Sequence, residues 1–257
     1  MKGVEGLTTF EIQPLGDRAV RISFGDEISL DTQEKLIAAQ RVLDAANIKS
    51  VEHWLPSYTA LTVLYDPLIH SFQELKQELT SCLKDIPHAK LEHSKIFHIP
   101  VCYGGQFGPD LEYVADFHQM STKEVIDYHT EPTYPIYMIG FAPGFPYLGG
   151  LNEKLFTPRL SVPREKVYAG SVGIGGKQTG IYPISSPGGW QIIGRTPLQL
   201  FQKYQSYPTM IEAGSFLRFI SIGEDEYHKI ELLVEENKYQ WQIEEVVKVE
   251  GGQVRAY

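Results

Sequence analysis

Three arginines in this chain stand beside prolines or one residue away: Arg159 in Thr-Pro-Arg, Arg164 in Pro-Arg-Glu and Arg195 in Gly-Arg-Thr-Pro. Rigid turns would hold their guanidinium groups with little rotamer freedom, which suits bidentate capture of a carboxylate or phosphate. The alternative is that they pair with the chain's excess acids. Gln178, Thr179 and Tyr182 place neutral donors and acceptors nearby, and Phe145, Tyr147 and Trp190 supply apolar walls. All of these fall between Ile139 and Phe201, a stretch holding 12 of the 23 glycines and, with six basic and two acidic residues, a formal charge of +4 in a chain of net charge -9. A basic, aromatic, glycine-rich stretch on an acidic protein points to a small anionic ligand. A β-rich core whose turns need glycine is the plainer reading of the same composition.

Familiar motifs fail in this stretch. A Walker A loop aligned on Gly176-Lys177 has Ser171 where its first glycine belongs and Gln178 in place of the hydroxyl residue. Gly173-Ile174-Gly175 begins a dinucleotide fingerprint, but Gln178 takes its sixth position and no crossover helix follows. Ala169-Gly170-Ser171-Val172-Gly173 approximates a nucleophile elbow without the helix that an elbow requires, so Ser171 reads as a hydrogen-bonding loop residue. His129 closes a helix just before the stretch; it is either a dipole-complementing structural residue or an acid-base group. Closely spaced carboxylate pairs are missing from the stretch, which disfavours glycosidase-type and aspartic chemistry.

The elements that must position these residues follow from periodicity. Residues 8–25 alternate around Leu15-Gly16-Asp17 as a strand pair, and 50–66 alternate around Pro56-Ser57 as a second. Between them lies a helix with an Asp31/Glu34 capping box, Leu36, Ala39, Leu43 and Ala46 on one face and Asn47 as its stop; another helix starts at Ser71, capped by Glu74. This gives a small α+β domain over 1–90, ending in a polar linker at 87–90. Residues 91–257 open with the strand KIFHIPVCYG and two short helices starting at Pro109 and Ser121. Strand and turn signals then alternate from Tyr134 onward, through SFLRFISI, HKIELLVEE and KYQWQIEEV, as in a closed all-β barrel or sandwich.

Composition excludes several classes. With 42% hydrophobic and 21% charged residues the chain reads as a soluble globular protein, and no apolar run approaches a membrane span. The N-terminus lacks a signal-peptide core, and two cysteines make no disulfide framework, so a cytoplasmic location is expected. An acidic balance without basic runs argues against a nucleic-acid partner, and scattered histidines argue against a metal.

Longer motifs carry a family resemblance. GFAPGFPYLGGL at 140–151, AGSVGIGGKQTGIYP at 169–183, SPGGW at 186–190 and IGRTP at 193–197 resemble the allophanate hydrolase subunit 1 family, as do PLGD at 14–17, IPVCYGG at 99–105 and GPD at 108–110. The resemblance spans nearly the whole chain and implies a cyclophilin-like barrel after the α+β domain. It implies a heteromeric enzyme whose other members are an allophanate hydrolase subunit 2 type protein and a LamB/YcsF-type protein. Together these would cleave 5-oxoproline to glutamate with ATP hydrolysis, the ATP being bound by the complex and this chain being inactive alone. On that reading Arg164 and Arg195 are anion contacts, Gln178 and Thr179 orient the amide, and His129 carries a proton. Phe145, Tyr147, Arg159, Ser171, Tyr182 and Trp190 line the substrate. The family also implies two alternatives. One is a carboxyltransferase half-domain acting on urea or allophanate. The other is an inhibitor docking on a sporulation sensor histidine kinase through exposed Phe141, Phe145, Tyr147 and Trp190.

Overall fold

The structure is a computed structural model that describes residues 10–84, 86, 94–140, 142–203, 208–248 and 254–256. The chain divides into two compact units, residues 1–92 and 93–257.

In the first unit, strands β1 (Glu11–Pro14), β2 (Ala19–Ser23), β3 (Val51–Pro56) and β4 (Ala60–Tyr65) form an antiparallel sheet in the order β1-β2-β4-β3. Alternation places Val20 opposite Val63 and Ile22 opposite Leu61, all four fully buried. They pack with Leu36, Ala39 and Leu43 of α1 (Leu30–Ala46) and with Leu75, Leu79 and Leu83 of α2 (Phe72–Leu83). The reciprocal Ser71–Glu74 capping box of α2 is present. At α1 the cap differs from the expected Asp31/Glu34 box: Ser29 is the N-cap and accepts from the Thr32 amide. Ala46 is exposed, one turn beyond the buried face, and Asn47 ends the helix in a left-handed conformation at φ 48°. The linker expected at 87–90 lies outside the described residues.

The second unit is built on β5 (Ser94–Tyr103). Two short helices follow it, α3 (Leu111–Phe117) and α4 (Thr122–Thr130), the latter with a Ser121–Glu124 capping box. The remaining strands are β6 (Tyr134–Ile139), β7 (Pro146–Leu148), β8 (Arg164–Val167), β9 (Ser171–Gly175), β10 (Gln178–Ile181), β11 (Ser186–Gly188), β12 (Gln191–Arg195) and β13 (Phe216–Ile222). Helix α5 (Glu224–Glu235) and strands β14 (Ile243–Lys248) and β15 (Val254–Ala256) complete the described chain. The main sheet runs β10-β9-β12-β5-β13-β6-β7, and β7 packs against β10, so the path nearly closes into a barrel. It is a mixed sheet, since β13 pairs with β5 in parallel while β12 and β14 pair with β5 antiparallel. Strands β8 and β11 form a separate ribbon.

The unit is therefore not all-β: α3, α4 and α5 belong to it. HKIELLVEE, expected as a strand, lies on α5, where Tyr227 is buried and Ile230 and Val234 pack at helical spacing. β14 begins at Ile243, later than the alternation from Lys238 suggests.

Candidate functional site

A cavity of about 270 Å³ opens among β10, β11 and the segments at 145–147, 159 and 189–190. Its walls are aromatic. Phe145 meets Tyr147, Tyr182 and Trp190 edge-on at 5.3, 5.9 and 5.8 Å between ring centroids, and Tyr182 meets Trp190 at 5.9 Å. Val167 and Ile192 back this cluster. T-shaped contacts at these spacings fix the rings against one another.

Two glycines make the cluster possible. A Cβ on Gly175 would lie 2.3 Å from Trp190 Cδ1, and one on Gly188 would lie 2.5 Å from the Tyr182 hydroxyl. Both positions must be bare for indole and phenol to rest on the backbone. The glycine richness of the sequence thus serves close approach of rings to strands at these two points.

Among the described lining residues Arg159 alone is charged. It extends from the segment between a short 3₁₀ turn (Glu153–Leu155) and β8, with its guanidinium 5.8 Å over the Trp190 ring. Its Nη2 donates to Gln178 Oε1 at 3.4 Å, and among the described residues no carboxylate lies within ion-pair distance of it. Gln178 is half-buried at the start of β10 and faces the cavity. Burial pushes the Tyr147 and Tyr182 hydroxyls above the ordinary phenol range, against lowering by Arg159. Tyr182 is also lowered by a hydrogen bond with the Trp190 backbone and by Arg164. Both phenols are therefore neutral near pH 7. The site can hold an anion beside an aromatic wall and engage an amide; among its described lining residues there is no carboxylate or imidazole to serve as a base.

The cavity gathers Phe145, Tyr147, Arg159, Gln178, Tyr182 and Trp190 from the residues singled out in the sequence. The other five lie elsewhere. His129 is fully buried. Its Nδ1 lies 2.8 Å from the Tyr103 hydroxyl and its Nε2 2.8 Å from Thr179 Oγ1, and Phe219 stacks on the ring at 4.5 Å. Thr179 Oγ1 donates to the Gly173 carbonyl, so it must accept from His129 Nε2–H, leaving Nδ1 to accept from Tyr103. Burial holds the imidazole neutral, down at about 3. With both nitrogens engaged and no exposure it cannot carry a proton to a ligand, and Thr179, 2% exposed, cannot orient one.

Arg164 is not free for an anion either. Its Nη2 donates to Asp110 Oδ1 at 2.6 Å and its Nη1 to the Trp190 carbonyl at 3.2 Å, while Asp110 Oδ2 accepts from the Ile192 amide. It braces the wall from behind. Arg195 stacks over Tyr168 at 5.0 Å, outside the cavity lining. Ser171 is 1% exposed at the head of β9, which turns into β10 with no helix after it, so no elbow forms. Phe145 and Trp190, expected as an exposed docking face, are 5% and 8% exposed, and Phe141 lies outside the described residues.

Sequence reasoning missed Pro187, Gly188, Gly189 and the supporting Gln191. The signal for the first three was the turn-forming Ser-Pro-Gly-Gly run directly before Trp190.

Residues 10–211 match the family described as carboxyltransferase domain, subdomain C and D. The chain belongs to this family. It is 44% identical over 229 residues to the 5-oxoprolinase B subunit of Bacillus subtilis (strain 168), covering 85% of this chain and 95% of that one. With the 5-oxoprolinase B subunit of Haemophilus influenzae (strain ATCC 51907 / DSM 11121 / KW20 / Rd) it shares 45% identity over 216 residues, 82% of this chain and 98% of the other. The crystal structure of TTHA0988 superposes with a TM-score of 0.70 at 31% identity, covering 80% of this chain and 40% of that protein. No helix among the described residues is long and apolar enough to cross a membrane, and none of their His, Cys, Asp and Glu side chains group as a metal site.

Proposed function

We propose that this chain is the B component of a cytoplasmic, ATP-dependent 5-oxoprolinase that cleaves 5-oxo-L-proline to L-glutamate. Its partners would be an allophanate hydrolase subunit 2 type protein as the C component and a LamB/YcsF-type protein as the A component. We read its barrel as cyclophilin-like and its cavity as the place where 5-oxoproline sits. The observation that carries this reading is the pairing of one cation, Arg159, with one amide, Gln178, on an aromatic wall. 5-Oxoproline offers the complement: a carboxylate for the guanidinium, a ring amide for the carboxamide and a flat apolar ring for Trp190 and Tyr147.

ATP fits this cavity poorly. A triphosphate carries several negative charges, whereas the lining offers a single cation. The Gly175-Gly176-Lys177 turn joins two strands and does not open a helix. ATP therefore enters this reading through the assembled complex, and this chain contributes binding and orientation. The relatives' names and their identity over most of the chain support the reading.

Reconstituting the three proteins and following glutamate release from 5-oxoproline tests it. ATP-dependent release that vanishes when this chain is omitted is the expected result. No release by the complete set would overturn the assignment.

A further inference from the structure

The two residues on either side of Arg159 are tied to the two residues on either side of Trp190. Leu160 N–H donates to the Gly189 carbonyl at 2.7 Å, and Gln191 Nε2 donates to the Pro158 carbonyl at 3.0 Å. This double clamp sets the guanidinium in register with the indole it covers. One bond is backbone to backbone and any sequence could make it. The other needs a long amide side chain, and Gln191, 3% exposed at an inward position of β12, supplies it. The segment is held from the opposite side as well. Gly176 N–H donates to the Thr157 carbonyl at 2.7 Å. Thr157 Oγ1 donates to the Leu155 carbonyl and so accepts from His118 Nε2 at 3.0 Å.

A buried glutamine on a strand of β-branched and glycine neighbours, Gln191-Ile192-Ile193-Gly194, is an uncommon choice for a core position. Its side-chain bond spans 33 residues to reach a single carbonyl, that of the residue preceding the cavity's cation. We propose that Gln191 is a positioning residue of the substrate site: it touches no ligand and acts by holding Arg159 where a substrate carboxylate must meet it. An exposed arginine otherwise keeps wide rotamer and loop freedom, and fixing the loop in advance removes that ordering penalty from binding. Gln191 therefore governs KM through Arg159 and leaves the reactive step alone. The inference rests on the cavity being the 5-oxoproline site.

The test is a double-mutant cycle on the reconstituted complex, with KM and kcat measured for 5-oxoproline. Arg159→Ala should raise KM about tenfold or more, as expected for loss of a charged contact. Gln191→Leu keeps the buried volume nearly constant and should raise KM about 3- to 10-fold with kcat within about twofold. In the double variant KM should be no higher than in Arg159→Ala alone, because no cation remains to be positioned. Gln191→Glu adds a readout within one folded protein. Its carboxyl can donate to the Pro158 carbonyl only when protonated, so KM should approach the wild-type value at low pH and climb as the group ionises. Independent, multiplying effects of the two substitutions, or a Gln191→Glu KM that follows the wild-type pH profile, would overturn the positioning role while leaving the cavity's assignment intact. An Arg159→Ala variant with unchanged KM would overturn both.

Discussion

Replacing Gly175 by alanine probes the site at its tightest point. The added methyl would stand 2.3, 2.4 and 2.7 Å from Cδ1, Nε1 and Cγ of Trp190, where ordinary contact begins at 3.4 Å. The indole must therefore retreat by about 1.1 Å, the difference between 3.4 and 2.3 Å. It has little room, because Phe145 and Tyr182 press on it edge-on at 5.8 and 5.9 Å. Overpacking of this kind costs about 1–3 kcal/mol. For a cooperative unit of this size that lowers Tm by roughly 2–12 °C. The indole also carries Arg159 over its face, so a displacement of about 1 Å should raise KM for 5-oxoproline about tenfold or more. Gly176→Ala is the matched control. It sits at φ 65° with nothing within 4 Å of an added Cβ. Backbone strain of about 1–2 kcal/mol should lower its Tm, and because its N–H also holds the Thr157 carbonyl, KM should rise far less than in Gly175→Ala. Thermal melts paired with steady-state kinetics read both quantities. If Gly175→Ala melts like the parent and keeps its KM, the indole does not rest on this strand and the cavity as described is wrong. If Gly176→Ala raises KM as much, the hairpin and not the indole contact governs binding.

His129 makes acid stability a readout of the core. Its folded pKa, about 3, lies below the usual 6.5. The neutral form is therefore favoured by folding, the contribution is complete above about pH 6.5, and it is lost as pH falls through 6.5 toward 3, reaching about 2 kcal/mol by pH 5. Urea unfolding at pH 7, 6 and 5 should show this slope, and His129→Gln should flatten it; an unchanged slope in the variant would place the titration elsewhere. For Arg164, Arg164→Met leaves the Asp110 carboxylate, whose side chain is 13% exposed, without its cation and should cost about 1–3 kcal/mol in urea unfolding, with KM raised only through the loosened wall and by less than in Arg159→Ala. A large KM increase at unchanged stability would restore Arg164 as a ligand contact.

The aromatic wall, Gln178 and Arg159 were legible in the sequence because local chemistry names them: rings and a cation among turn residues that bare the backbone. The capped helices α2 and α4 were legible for the same reason, since Ser-x-x-Glu states its own hydrogen bonds. What failed was everything decided by distant partners. Arg164 looks free until the fold brings Asp110, 54 residues away, to 2.6 Å. His129 looks like a helix-end cation until Tyr103 and Thr179 close on its two nitrogens in the core. On α5, Ile230, Leu232, Leu233 and Val234 are dense enough in apolar residues to imitate a strand. Only the inward set Tyr227, Ile230 and Val234, at intervals of three and four, distinguishes the helix, while Leu232 and Leu233 stay 59% and 41% exposed.

The division between rigid holding and missing reactivity follows from the same residues. The walls are ring on ring, Arg159 is clamped on both sides, and Arg164 braces the wall through the Trp190 carbonyl. Such preorganisation favours tight, oriented binding of one small anion. Opening an amide needs a nucleophile and a proton path besides. The lining offers raised tyrosines, a carboxamide and a guanidinium, none of which accepts a proton near neutrality. The buried imidazole is committed to Tyr103 and Thr179. A cavity so complete for recognition and so bare of reactive groups can hold and orient a small anion, while chemistry on an amide calls for groups that its described lining does not carry.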